Sequence, residues 1–146
     1  EVFKKTGQCA ECHVLDRDKR AHRTLFTDHT YDNLGIPKLP DHPHYKVAVE
    51  YFLLTADSVD LGLGAIVNAE SENGKFRVPT LRNVELTAPY LHDGTVTTLD
   101  EAVRIMGVYL SGMDIPKGDR ALIVGFLRTL TGEWNGKPLV GEAVKN

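Results

Sequence analysis

Both cysteines of the chain lie three residues apart, and a histidine follows the second at once, in Cys9-Ala10-Glu11-Cys12-His13. A pair this close can serve few purposes. In one reading it attaches a c-type haem: each thiol adds to a haem vinyl group, and the adjacent imidazole becomes the proximal iron ligand. In a second it is a redox dithiol, which needs a strand before the motif and a βαβ sheet around it. In a third, two thiolates and two histidines hold zinc. A plain disulfide is the ordinary alternative, but it would close a very small loop and stabilise little.

The surrounding sequence favours the first reading. No convincing strand precedes Cys9. Of six histidines, at 13, 22, 29, 42, 44 and 92, none completes a finger-type zinc spacing: Cys12 to His22 is too short a gap and His22 to His29 too wide. The residues after Val14 are rich in loop signals, and a domain wrapped around a macrocycle can use the cofactor itself as part of its core. The expectation is one covalent haem c held by Cys9, Cys12 and His13, in an all-α domain with long loops.

At 146 residues the chain fits a single domain spanning 1–146, able to bury a core without further staples. Its net charge of −3 offers no basic stripe for nucleic acid. The longest apolar run, VAVEYFLLTA, is interrupted by Glu50 and is too short to span a bilayer. The sequence opens on Glu1, consistent with a removed signal peptide or a piece of a longer protein, and EVFKKTG reads as the last turns of a helix.

Along the chain, residues 14–45 show no sustained period, and the three prolines of GIPKLPDHPH exclude a helix there. YKVAVEYFLLTA is ambiguous between helix and strand, and LGLGAIVNAESENGK reads as a loop. FRVPTLRNVELTAPYLHDGTV reads as loop and short helical turns. A helix follows the capping box Thr98-Leu99-Asp100-Glu101, with Leu99, Ala102, Val103 and Met106 on one face. GDRALIVGFLRTLTG predicts a second, with Leu122, Ile123, Phe126, Leu127 and Leu130 as its apolar stripe and Gly132 at its C-terminus. Trp134 is expected to pack the C-terminal tail onto the domain.

From residue 76 onward, FRVPTLRNVELTAPYLHDGTVTTLDEAVRIMG and then LIVGFLRTLTG resemble the C-terminal half of the bacterial di-haem cytochrome c peroxidase and MauG family. TGQCAECH and LFTDHTYDNLGIP fit the start of the same half, so the resemblance runs from about Phe3 to Gly132, weakest over residues 38–72. It implies a cytochrome c-like fold and the electron-receiving haem, with a peroxidatic haem domain lying N-terminal. By position, His13 would be the proximal ligand and Met106 the distal one. Thr87 and Pro89 match positions whose backbone carbonyls help bind calcium between the two haem domains, so calcium is a second candidate ligand. His92, in LHDG, matches a histidine close to the haem. The implied partners are that N-terminal domain, a small electron donor (a cytochrome c or a cupredoxin) and, as a further candidate, a second copy in a homodimer. The implied location is the periplasm, where c-type attachment takes place.

Each residue also has an ordinary role. A methionine at helical spacing is commonly core, and Met113, in the loop SGMDIP, rivals Met106. In MauG-type relatives a tyrosine replaces the distal methionine; Tyr109 is near that position but not at it. Arg77 and Arg82 suit haem propionates in bidentate geometry, against solvated surface arginines. His22, His42 and His44 read as loop histidines, and His29 as the alternative iron ligand to check.

The leading reading is an electron-transfer c-type cytochrome domain with His/Met ligation, serving a di-haem peroxidase. Peroxidase activity would then belong to the longer parent, not to this chain alone. The alternative is a haem domain that itself reacts with peroxide through an open or labile distal site. A ligand-sensing or assembly module with structural haem is a third, non-redox reading.

Overall fold

The computed structural model describes residues 1–16, 18, 23–35 and 60–140. His22, His42, His44 and YKVAVEYFLLTA lie outside the described residues.

Two helices organise the domain. α2 (Leu99–Ser111) begins at Thr98, whose hydroxyl accepts the Glu101 amide at 3.3 Å. Only this half of the expected capping box is made as drawn: both Glu101 carboxylate oxygens go to the Arg104 guanidinium one turn on, at 2.7 and 2.9 Å. Gly112 ends the helix in the left-handed region, as a C-terminal glycine does. α3 (Lys117–Arg128) starts directly after Pro116 and packs against α2. Arg120 ties the two, its Nε donating to both Asp100 oxygens at 2.9 and 3.0 Å.

The stripe of α3 is rotated from the expected one. Ile123, Val124 and Leu127 are buried, whereas Leu122 is 62% exposed. Leu130 is buried just past the helix end. Gly132 is not the helix-terminating residue, since Thr129 caps α3; its amide instead donates to Asn83 Oδ1 at 2.8 Å.

A short helix, α1 (Leu63–Val67), and a 3-10 turn at Glu70–Glu72 occupy the segment expected to be loop. Further 3-10 turns lie at Cys9–Glu11 and Val84–Leu86. Beyond isolated bridges at Asp18–Arg23, Gly62–Lys75 and Tyr90–Val96, strand pairing among the described residues is confined to two antiparallel ladders. β1 (Tyr31–Asp32) pairs with β2 (Phe76–Arg77), Tyr31 opposite Arg77 and Asp32 opposite Phe76. β3 (Glu133–Trp134) and β4 (Lys137–Pro138) form a hairpin through Asn135-Gly136, both at positive φ, the backbone a two-residue primed turn requires. Trp134 sits on this hairpin, 73% exposed, and does not pin a tail to the core as expected.

The core comprises Phe3, Phe26, Leu81, Val103, Ile115, Ile123, Val124, Leu127 and Leu130. Phe126 meets both Phe3 and Phe26 edge-on, with centroids at 5.0 and 5.8 Å. This aromatic cluster joins the N-terminal turns to α3 and so places the cysteine motif against the helix pair.

Candidate cofactor site

The cysteine motif enters on a tight turn. Glu1–Gly7 forms helical turns, with Lys5 N bonded to Glu1 O at 3.0 Å and Gly7 N to Val2 O at 2.9 Å. Gly7 must be a glycine: a Cβ there would stand 2.8 Å from Cys9 Sγ and 3.1 Å from Ile123 Cδ1. The chain then turns through the 3-10 segment Cys9–Glu11, and His13 N closes onto Cys9 O at 2.9 Å. This single turn delivers Cys9, Cys12 and His13 to the wall of one cavity of about 770 Å³. That volume lies in the range of cofactor and ligand sites, ~300–1,000 Å³.

Other elements contribute the rest of the lining. The expected α2 face, Leu99, Ala102, Val103 and Met106, lies entirely on this cavity, with Ile123 and Leu127 from α3. Met106 is half-buried, whereas Met113 is 57% exposed and Tyr109 is also exposed; neither of the latter lines the cavity.

Hydrogen bonding fixes which nitrogen of His13 is available. Its Nδ1 lies 2.8 Å from the Phe26 carbonyl oxygen. A carbonyl can only accept, so Nδ1 carries the proton and Nε2 keeps its lone pair. Metal-binding histidines are oriented in this way, the second ring nitrogen donating to a backbone carbonyl or a carboxylate. Burial holds the His13 pKa below the usual imidazole value, opposed by the Phe26 carbonyl, Asp28 and the Pro79 carbonyl. The neutral ring is the form that can ligate.

The thiols are held protonated. Burial pushes Cys9 up to about 11, and its Sγ donates to Gly7 O at 3.2 Å. Burial also raises Cys12, helped by the carboxylates of Asp28, Asp32 and Glu11. A redox dithiol needs a thiolate stabilised below the ordinary thiol pKa, and both shifts run the other way. Nor does a βαβ sheet surround the motif among the described residues. Among those residues no three His, Cys, Asp or Glu side chains converge as a zinc site would require. The described surroundings therefore support the haem reading of the motif over the other two.

The remaining candidates divide. Arg77 lines the cavity, and its NH2 lies 3.2 Å from His29 Nδ1. His29 is engaged at both nitrogens, with Nε2 3.0 Å from Asp18 Oδ2, and does not line the cavity. His92 does line it, stacked on Phe76. Thr87 and Pro89 line the same cavity. Arg82 is not brought to that cavity: its Nε donates to Thr24 O at 2.8 Å and its guanidinium covers the Phe26 ring at 5.0 Å. Two contributors went unnoticed in the sequence, Phe26 as the carbonyl partner of His13 and Phe76 as the platform for His92. Neither has a local signal, because both act through contacts between segments far apart in the chain.

A cavity lined by two thiols, an oriented neutral imidazole and a thioether fits a covalently attached haem. No family model matches the chain. It is similar to the methylamine utilization protein MauG of Paracoccus denitrificans, with 38% identity over 108 residues, covering 73% of this chain and 26% of that protein. It also resembles the cytochrome-c peroxidase IdrP2 of a Pseudomonas species, at 32% identity over 151 aligned positions, covering 97% of this chain and 39% of the relative. Among solved structures, a variant of the diheme peroxidase BthA from Burkholderia thailandensis superposes with a TM-score of 0.63 at 25% identity, covering 88% of this chain and 40% of that one. The chain thus spans well under half the length of each of these proteins. It belongs to the MauG and di-haem cytochrome c peroxidase family, of whose members it matches one part.

Proposed function

We propose that this chain is an all-α, cytochrome c-like domain that binds one haem c covalently through Cys9 and Cys12, with His13 and Met106 as axial ligands. It would accept electrons on behalf of a second, peroxidatic haem domain of a longer protein. The observation that carries the proposal is the His13 Nδ1–Phe26 carbonyl bond, which keeps the Nε2 lone pair for a metal in a cavity that both thiols and Met106 also line.

Cys9 and Cys12 would hold the haem by adding their S–H groups across its vinyl double bonds, sulfur to one carbon and hydrogen to the other, an addition with no leaving group and no oxidant. Once bound, the haem supplies a one-electron iron couple. The chain's own residues set its character. His13 presents a neutral imidazole, and the Met106 thioether, a soft ligand, favours the reduced metal as an electron acceptor requires. Met106 on the cavity wall also supports electron transfer over a peroxide reaction at this site, since it would fill the distal position. Arg77, a lining residue of the cavity, would pair with a propionate. A calcium ion, if the family's site extends here, would draw on backbone carbonyls, Thr87 and Pro89 among them, together with groups of the neighbouring domain.

The proposed partners are the peroxidatic haem domain and a small donor protein, and the proposed location is the periplasm. No helix among the described residues is long and apolar enough to cross a membrane.

Expression with a c-type maturation system tests the proposal. Mass spectrometry of the denatured chain should show the added mass of one haem. Haem that extracts into acidified butanone would overturn it, because only noncovalent haem leaves the chain that way.

A further inference from the structure

The Phe26 carbonyl that accepts from His13 Nδ1 sits in an unusual stretch of backbone. Phe26 has φ of 57°, in the left-handed region that a bulky L-residue rarely adopts. Such a conformation persists only where its surroundings over-determine it. Here the segment 24–27 is tied on both sides of Phe26 to the segment 78–82. The Thr80 hydroxyl donates to Leu25 O at 2.5 Å, and Arg82 Nε donates to Thr24 O at 2.8 Å. From the other side, the buried Thr27 hydroxyl donates to Val78 O at 2.7 Å. The two donors on 78–82 are themselves linked, the Arg82 amide donating to Thr80 Oγ1 at 3.1 Å. Arg82 adds a second hold by lying over the Phe26 ring, 5.0 Å from its centroid, within the range of a cation–π contact.

We propose that Thr80 and Arg82 are positioning residues for the proximal imidazole: by clamping Thr24 and Leu25 they hold Phe26 in its left-handed conformation, with its carbonyl on His13 Nδ1. The inference rests on the haem reading for its meaning, but the clamp itself is a property of the chain. It gives Arg82 a role different from the propionate contact expected from sequence. The consequence for the iron follows from the hydrogen bond. A carbonyl accepting the Nδ1 proton makes the imidazole a better donor at Nε2, which favours ferric iron. Loosening the clamp weakens that bond and raises the reduction potential.

The test uses the haem-loaded chain and three variants. In Thr80→Val and Arg82→Gln, the His13 Nδ1 proton should exchange with deuterated solvent about tenfold faster by NMR, the order expected for losing one net hydrogen bond. The ferric–ferrous equilibrium should move toward ferrous by up to about tenfold, or ~59 mV for one electron. Thr80→Ser, which retains the hydroxyl, should restore both readouts to wild type, an outcome that general loosening of the fold would not give. Wild-type exchange and potential in both Thr80→Val and Arg82→Gln would overturn the clamp, as would a Thr80→Ser shift equal to that of Thr80→Val. A wild-type chain that carries no covalent haem would instead defeat the haem reading. The same exchange comparison on the haem-free chain would then decide the clamp.

Discussion

The ring of His92 lies flat on that of Phe76, with centroids 4.1 Å apart and planes inclined by 17°. Phe76 is the β2 residue opposite Asp32, so the stack fastens the turn around Asp93-Gly94 to the short ladder at the cavity wall. A contact of this kind is worth ~0.5–1.5 kcal/mol beyond burial. His92→Ala should lower stability by about that amount in urea unfolding of the haem-loaded protein, whereas His92→Phe should keep most of it. Equal losses in the two variants would show that the imidazole acts through something other than stacking.

Met106 and Met113 give opposite expectations. Met106→Ala should abolish the weak near-infrared sulfur-to-iron band of Met-ligated c-haems, lower the reduction potential and open the iron to cyanide. Met113→Ala, at an exposed position off the cavity, should leave all three unchanged. A band that survives Met106→Ala and disappears in Met113→Ala would reverse the assignment.

The residue after Met106 supplies an independent lever. A Cβ on Gly107 would stand 2.5 Å from Ile115 Cγ1 and 2.6 Å from its Cδ1, and Ile115 is buried in the core. Gly107→Ala should therefore push α2 away from the segment leading into α3, costing ~1–3 kcal/mol as other overpacked cores do. Because Met106 moves with that turn, the same near-infrared band should weaken. An unchanged band and an unchanged urea midpoint would mean that Ile115 yields without strain.

In the haem-free chain, where no iron occupies Nε2, His13 makes stability pH-dependent in a definite direction. Burial lowers its folded-state pKa, so on acidification the unfolded chain takes up the proton first. The unfolded state then binds more protons, and stability rises with pH. The contribution is complete above the unfolded value of ~6.5 and is lost as pH falls through and below it. Urea midpoints should accordingly drop between about pH 7.5 and about pH 5. A flat profile across that window would contradict the buried, neutral assignment.

Before haem is attached, the two thiols should react unequally. Cys9 is pushed up to about 11 by burial, whereas Cys12 is the more open of the two and is raised in part by neighbouring carboxylates. Alkylation at mildly alkaline pH consumes thiolate. Peptide mapping should find Cys12 modified before Cys9, with the order lost in urea. Equal rates under native conditions would show that the turn at Cys9–Glu11 forms only around the cofactor.

The parts of the molecule legible in the sequence are those written in local chemistry. Cys9, Cys12 and His13 announce themselves by spacing, and Thr98 announces α2 by its cap. The face Leu99, Ala102, Val103 and Met106 follows from helical period alone, and all four residues reach the cavity. Sequence pattern and structure part where tertiary packing chooses among local options. Leu122 and Val124 both fit an apolar stripe, and the packed core took in the second while leaving the first 62% exposed. Gly132 looked like a helix terminator, but the chain had already left the helix at Thr129 to meet Asn83. The Asn135-Gly136 pair is a local signal for the β3–β4 hairpin. The Phe26 carbonyl left no local trace, since a backbone acceptor has no residue type to mark it.

Trp134, the chain's single tryptophan, rides on that hairpin and not in the core. Its fluorescence will therefore report on the β3–β4 turn. The indole is already in water in the folded state, so its emission maximum should shift little when the domain unfolds. Intensity is the useful signal: a haem within the domain would quench the indole by energy transfer while the hairpin stays docked, and emission would brighten as the hairpin peels away. A brightening that precedes the loss of helical circular dichroism would reveal the hairpin as a separate, weaker cooperative unit.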